Sequence, residues 1–182
     1  MKYELLRDKY LLLDTNILID CSKYPIFFKD FLLNLTTHNI ALVIDQTVRF
    51  EFLRNADSPK QKKVLDDFLK SLLSVDDIGL LIDGTTVSDA IYLANIYAWK
   101  NLNKIDLADC FLASAMKKFN ESAVRPRMFL ATQNHKDYPD FIFKRIGIET
   151  IDVAGNSIIN IGFYEFNKDS FVQAHDDYKK QV

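Results

Sequence analysis

Leu11-Leu12-Leu13-Asp14-Thr15-Asn16-Ile17-Leu18-Ile19-Asp20 sets a short apolar run directly against a carboxylate and two small polar residues. The run from Tyr10 to Leu13 has the length and character of a buried strand. Asp14 then stands at its carboxyl end, which is where open α/β sheets place their ligands. Thr15 and Asn16 suit the turn into a helix, because their side-chain oxygens accept hydrogen bonds from the first free amides. The order is strand, acid, turn, helix. Taken alone, Asp14 reads as well as a helix cap or turn residue, so the functional case must come from other acids.

The same alternation continues along the chain. Tyr24 to His38 carries Ile26, Phe27, Phe31, Leu32 and Leu35 at helical spacing, and Ala41 to Ile44 is a β-rich run leading through Asp45 into a helix from Gln46 to Arg54. Pro59 fits the first turn of another helix, with an apolar stripe at Val64, Leu65, Phe68, Leu69 and Leu72 and a solvated face of lysines and aspartates. Ile78 to Ile82 reads as a strand ended by Asp83-Gly84, with Thr86 or Ser88 capping a helix that reaches about Leu102. A capped helix follows from Lys104 to Ala115, then an apolar run from Met128 to Ala131 that ends in polar residues, then a strand at about Ile146 to Ile151. Strands separated by helices imply an α/β fold with a parallel or mostly parallel sheet covered on both faces. Gly155-Asn156 breaks the pattern before Ser157 to Phe166, a strand or hairpin arm, and Lys168 to Lys180 suits a terminal helix. The chain therefore divides into a core of residues 1–152 and a C-terminal extension, 153–182, packed on or extending the same domain.

A chain of 182 residues with 48% hydrophobic side chains buries a full core without staples. Cys21 and Cys110 have neither metal nor redox spacing and read as packing residues, which suits a reducing cytosol. With no apolar stretch of signal-peptide or membrane-spanning length, a soluble, cytoplasmic protein without a membrane partner is expected. A net charge of -2 and a pI near 5.9 exclude a wholly basic nucleic-acid binder and leave a nuclease and a small-molecule enzyme both open.

Three further acids join Asp14. Glu51 lies inside the helix after the second strand, flanked by Phe50 and Phe52, and reads either as an exposed helical glutamate or as a carboxylate turned toward the strand ends. Asp106 and Asp109 place the first at an N-cap and the second in the first turn of a helix that is apolar beyond it, so Asp109 needs a partner or a metal. Asp137 follows Met128 to Ala131 by a polar turn in which Thr132 and Asn134 bond to backbone, and is either a loop acid or a fourth member of a cleft. Clustered carboxylates repel one another unless cations compensate. Hard oxygen ligands select Mg2+ or Mn2+, and such an ion activates water and steadies charge on phosphate oxygens. His38 and His175 read as surface residues and His135 as a loop residue, so no histidine base is required.

Together, Leu11-Leu12-Leu13-Asp14-Thr15-Asn16, Glu51 within a helix, Asp109 heading Asp-Cys-Phe-Leu-Ala-Ser, and Thr132-Gln133-Asn134-His135-Lys136-Asp137 resemble the PIN-domain ribonucleases over residues 11 to 151. The resemblance implies a three-layer α/β/α sandwich and Mg2+- or Mn2+-dependent cleavage of RNA. It implies Asp14, Glu51, Asp109 and Asp137 as catalytic and metal-binding acids, with Thr15, Asn16, Thr132 and Asn134 in support. Arg49, Arg54 and Lys136 lie near these acids and are candidates for RNA phosphate contact. The compactness is similar to the VapC-like toxins of toxin–antitoxin pairs, which implies an antitoxin partner and a homodimer. Extra chain after Asp152 and between Ala115 and Met128 departs from that pattern.

Overall fold

Three apolar runs that stop at a polar residue lie side by side as parallel strands: Tyr10–Leu13 (β1), Ala41–Val43 (β2) and Met128–Thr132 (β3). The computed structural model describes residues 2–73, 82–100, 102, 105–122, 127–153 and 157–181. β1 sits between its two partners, with Leu12 opposite Val43 on one side and Leu130 on the other. Leu11, Leu12 and Leu13 are fully buried, as befits a strand covered on both faces. The strand expected at Ile78 to Ile82 falls mostly on residues 78–81, outside the described residues.

The remaining strands, Phe143–Val153 (β4) and Ser157–Phe166 (β5), pair antiparallel with each other, and β5 pairs antiparallel with β3. The strand order is β2-β1-β3-β5-β4. The expected parallel or mostly parallel sheet is thus replaced by a mixed one, with two parallel and two antiparallel pairings among the described strands. The cause lies in the connection: only three residues separate β4 from β5, and a link that short joins antiparallel neighbours, whereas parallel neighbours need a crossover. Ser157 to Phe166 therefore fills a place inside the sheet, with Ile161 and Phe163 in the core. β4 takes the edge, where a register shift between Arg145 and Gly147 and the outward Lys144, Arg145 and Asp152 blunt further pairing.

Eight α-helices accompany the sheet among the described residues: Lys2–Leu6 (α1), Thr15–Lys23 (α2), Lys29–Thr37 (α3), Gln46–Leu53 (α4), Pro59–Leu72 (α5), Gly84–Trp99 (α6), Leu107–Asn120 (α7) and Lys168–Lys179 (α8). α7 packs on β3, β5 and α6, while α2 packs on β3 and α4. The small residues of α7 permit the close approach to α6, and Ser114 Oγ donates to the Thr86 carbonyl at 3.0 Å. The cap of α6 is Asp83, which accepts from the Thr86 N–H; Thr86 and Ser88, the expected caps, lie inside the helix. Cys21 and Cys110 are buried free thiols. No described helix is long and apolar enough to cross a membrane.

One glycine governs how the turn after β3 docks on the sheet. A Cβ on Gly162 would lie 2.6 Å from the Tyr164 ring and 2.8 Å from His135 Nδ1. His135 Nδ1 and Tyr164 Oη are hydrogen-bonded at 2.8 Å through the space the glycine leaves. Gly162→Ala must push this pair apart, and overpacking of about 1–3 kcal/mol should lower the melting temperature by roughly 2–10 °C. Thermal melts of the two proteins check this; equal melting temperatures would mean the pair moves aside without cost.

Candidate functional site

The carboxyl ends of β1, β2 and β3 and the first turns of α4 and α7 meet at one end of the sheet. The backbone N–H of Asp14 donates to the Ala131 carbonyl at 3.1 Å, so the β1–β3 pairing runs up to the acid itself. Asp14 occupies the N-cap position of α2, yet its side chain makes no capping bond. Its Oδ2 instead accepts from Thr132 Oγ1 and Asn16 Nδ2, each at 2.6 Å. The carboxylate is thereby held between the end of β3 and the first turn of α2.

The other three acids are each held by a neighbour. Glu51 Oε2 accepts from Thr15 Oγ1 at 2.6 Å, which turns it inward from α4 toward Asp14. Helical periodicity separates its flanking rings: Phe52 is buried and Phe50 is largely exposed. Asp106 caps α7 by accepting from the Ala108 N–H at 3.2 Å, leaving Asp109 in the first turn, itself buried although Leu107 is exposed, where the helix dipole favours an anion. Asp109 Oδ1 accepts from the buried Tyr138 Oη at 2.9 Å. Asp137 ends a single 3₁₀ turn, His135–Asp137. Asn134 Nδ2 donates to its carboxylate, and Tyr97 Oη donates to its carbonyl at 3.0 Å. Thr132 Oγ1 accepts from the Asn134 N–H at 2.9 Å, tying the turn to the strand end. Gln133 Nε2 reaches across to Asp20 in α2 at 2.7 Å.

The electrostatics follow from burial of like charges. Burial pushes Asp109 up to about 7, helped by the charges of Asp14 and Asp137 and opposed by the Tyr138 hydroxyl. Asp14 is raised first by burial, against bonds from Thr132, the Thr15 backbone and Asn16, and again by Glu51. Asp137 is also raised by burial, against bonds from Asn134 and the Asp109 carboxyl and the charge of Lys136. All four sequence-predicted acids thus act on one another through Asp14 and Asp109.

Two residues that the sequence reading passed over belong here. Asp45 follows β2 after Ile44, is 2% exposed, and is pushed up to about 6 by burial, against bonds from the Val48 and Thr47 backbone, with Glu51 and Asp14 adding to it. Its signal was present: Ala41-Leu42-Val43-Ile44-Asp45 repeats the apolar-run-then-aspartate pattern of Leu11 to Asp14. Tyr138 is the second: a fully buried aromatic whose hydroxyl holds Asp109.

The chain matches no family model, no curated protein and no solved structure. What the site can hold follows from its donors, which are carboxylate oxygens, and these suit a hard divalent ion. Among the described residues no three acidic, histidine or cysteine groups are already gathered into an ion cage; each of the four predicted acids is held by a hydroxyl or amide instead. A cation nonetheless fits the chemistry, because Asp45 Oδ2 is buried with no hydrogen-bond partner and a buried carboxylate oxygen needs a positive counterpart. Asp14, Glu51, Asp109 and Asp137 are the residues that would hold it.

The predicted basic contacts differ in availability. Arg49 bonds to Asp66 of α5 at 2.8 Å, which directs it along the helix pair. Arg54 and Lys136 are exposed, and the Lys136 charge favours the ionised form of Asp137. Lys117 is engaged with Asp89 and Glu121, Lys118 with Asp83, and Arg127 with Glu165.

Proposed function

We propose that the chain is a PIN-like endoribonuclease, built as an α/β/α sandwich, that hydrolyses RNA phosphodiester bonds with Mg2+ or Mn2+. The observation that supports this reading best is the meeting of Asp14, Glu51, Asp109 and Asp137 at the carboxyl end of the sheet, each tethered by a hydroxyl or amide. A binding module gains nothing from placing such a cluster before an anionic ligand, whereas a hydrolase gains a charge that a cation can use. When bound, the ion supplies Lewis-acid stabilisation of charge on phosphate oxygens and a lowered pKa for water.

The chain's own residues orient and restrain. Thr132 and Asn16 fix the rotamer of Asp14, Thr15 fixes Glu51, and Tyr138 fixes Asp109, so that charge is positioned before substrate arrives. Of the basic residues predicted to contact RNA, Arg54 and Lys136 are exposed and would meet phosphate. Within this reading, the narrower proposal is a toxin that dimerises and is neutralised by an antitoxin.

Cleavage of a labelled structured RNA tests the reading. With Mg2+ or Mn2+ we expect cuts that chelator abolishes and added metal restores. Cutting at full rate in chelator would refute the metal-dependent mechanism, and RNA that is bound but left intact under every metal would favour a noncatalytic binding module.

A further inference from the structure

The proposed chemistry uses four acids and leaves half of the Asp45 side chain without a role. Asp45 Oδ1 accepts from the Val48 N–H at 2.7 Å and caps α4. Oδ2 is buried without a hydrogen-bond partner, and no other side-chain polar atom among the described residues is in that condition. Capping does not explain the second oxygen. Serine and asparagine serve as N-caps about as well as aspartate, and neither brings a charge out of water. The other capping side chains, Ser58, Asp83, Asp106 and Asn167, stand at exposed or half-buried positions. Asp45 is the cap that pays a burial cost its capping role does not require.

Its placement gives it charged neighbours. Leu12 pairs with Val43 in the β1–β2 register, so Asp14 and Asp45, each two residues further on, leave neighbouring parallel strands together. Glu51 lies on the helix that Asp45 caps and is held by Thr15, the residue after Asp14. Three carboxylates from β1, β2 and α4 therefore share one corner, and the charges of Glu51 and Asp14 both act on Asp45.

We propose that Asp45 is a further cation ligand of this site, its Oδ2 giving a lone pair to a divalent ion held with Asp14 and Glu51 while Oδ1 keeps the cap of α4. The proposal rests on the metal-dependent reading above. It also couples two events: the ion that closes on Asp45 braces the start of the helix that carries Glu51.

Mn2+ binding by titration calorimetry, together with thermal melts in chelator and in saturating Mn2+, tests this on wild type, Asp45→Ser, Asp45→Asn and Asp14→Asn. In chelator, Asp45→Ser keeps a cap acceptor and loses the uncompensated charge, so it should melt roughly 2–6 °C above wild type. In Mn2+ the order should reverse. Its Mn2+ affinity should fall at least about tenfold, since even residues behind metal ligands carry 10–100-fold. Asp45→Asn, which preserves shape and cap, should show the same loss of affinity, and it decides the question if the serine variant is poorly folded. If Asp14→Asn weakens Mn2+ binding while both Asp45 variants bind like wild type, Asp45 is no ligand and the metal-dependent reading stands. If wild type binds no Mn2+, both fall together.

Discussion

Asp14→Asn is expected to lower Mg2+- or Mn2+-dependent RNA cleavage by at least about a hundredfold, because the ion contributes several kcal/mol to the barrier and each 1.4 kcal/mol is tenfold. The substitution keeps the size of the side chain and an oxygen that can still accept from Thr132 Oγ1 and Asn16 Nδ2. It removes the charge and turns the second oxygen into an amide donor. Asp14 is 7% exposed, and its charge adds to the cost of ionising Asp109 and Asp45. Neutralising it therefore relieves repulsion, and the metal-free variant should melt no lower than wild type. The pairing of lost activity with undiminished stability separates a functional acid from a structural one. Identical preparations assayed for cleavage and thermal melting provide the check, and a variant that cuts as fast as wild type would remove Asp14 from the mechanism.

How far the sequence carried this site depends on which features are local. An apolar run set against polar residues identifies a strand end without knowledge of its neighbours, so Leu11 to Asp14 and Met128 to Ala131 were both legible, as was the capped helix that places Asp109 in its first turn. The position of β5 was not. Which strand lies beside β3 is decided by pairing across about thirty residues of chain, and periodicity reports faces, not neighbours. The β-rich run from Ser157 to Phe166 could be seen, but not its insertion between β3 and β4. Asp45 escaped for a different reason. An aspartate between a strand and a helix satisfies the rule for a cap, and it does cap; only the burial of its second oxygen distinguishes it from Asp83 or Asp106. Tyr138 likewise met an adequate description as a packed aromatic, because the donor role of its hydroxyl appears only when α7 is brought against the turn after β3.

Stability of the metal-free protein should fall as the pH rises from 5 to 8. Asp109 is pushed up to about 7, whereas an unfolded aspartate titrates near 3.9. Between these values the folded chain carries a proton that the unfolded chain has released, so raising the pH favours unfolding. The cost begins above about pH 4 and is complete once the folded group ionises near 7; for a buried group it amounts to about 2–4 kcal/mol, or roughly 5–15 °C in melting temperature for a chain of this size. Asp45, pushed up to about 6, acts in the same direction. The acids with lowered values, the exposed Glu4 and Asp83 and the half-buried Asp66 and Asp177, lose their stabilising interactions only below the normal carboxylate range, so they leave this window untouched. Two comparisons isolate the cause. Asp109→Asn should flatten the profile, since the amide has no proton to lose. Saturating Mn2+ should do so as well, because a cation replaces the proton that the cluster otherwise needs and binds more tightly as the acids ionise. Thermal melts at pH 5, 6, 7 and 8 in chelator measure the slope directly. A melting temperature that is level or rising across that range would mean that the carboxylates at the strand ends are not the repulsive, buried cluster on which the proposed chemistry depends.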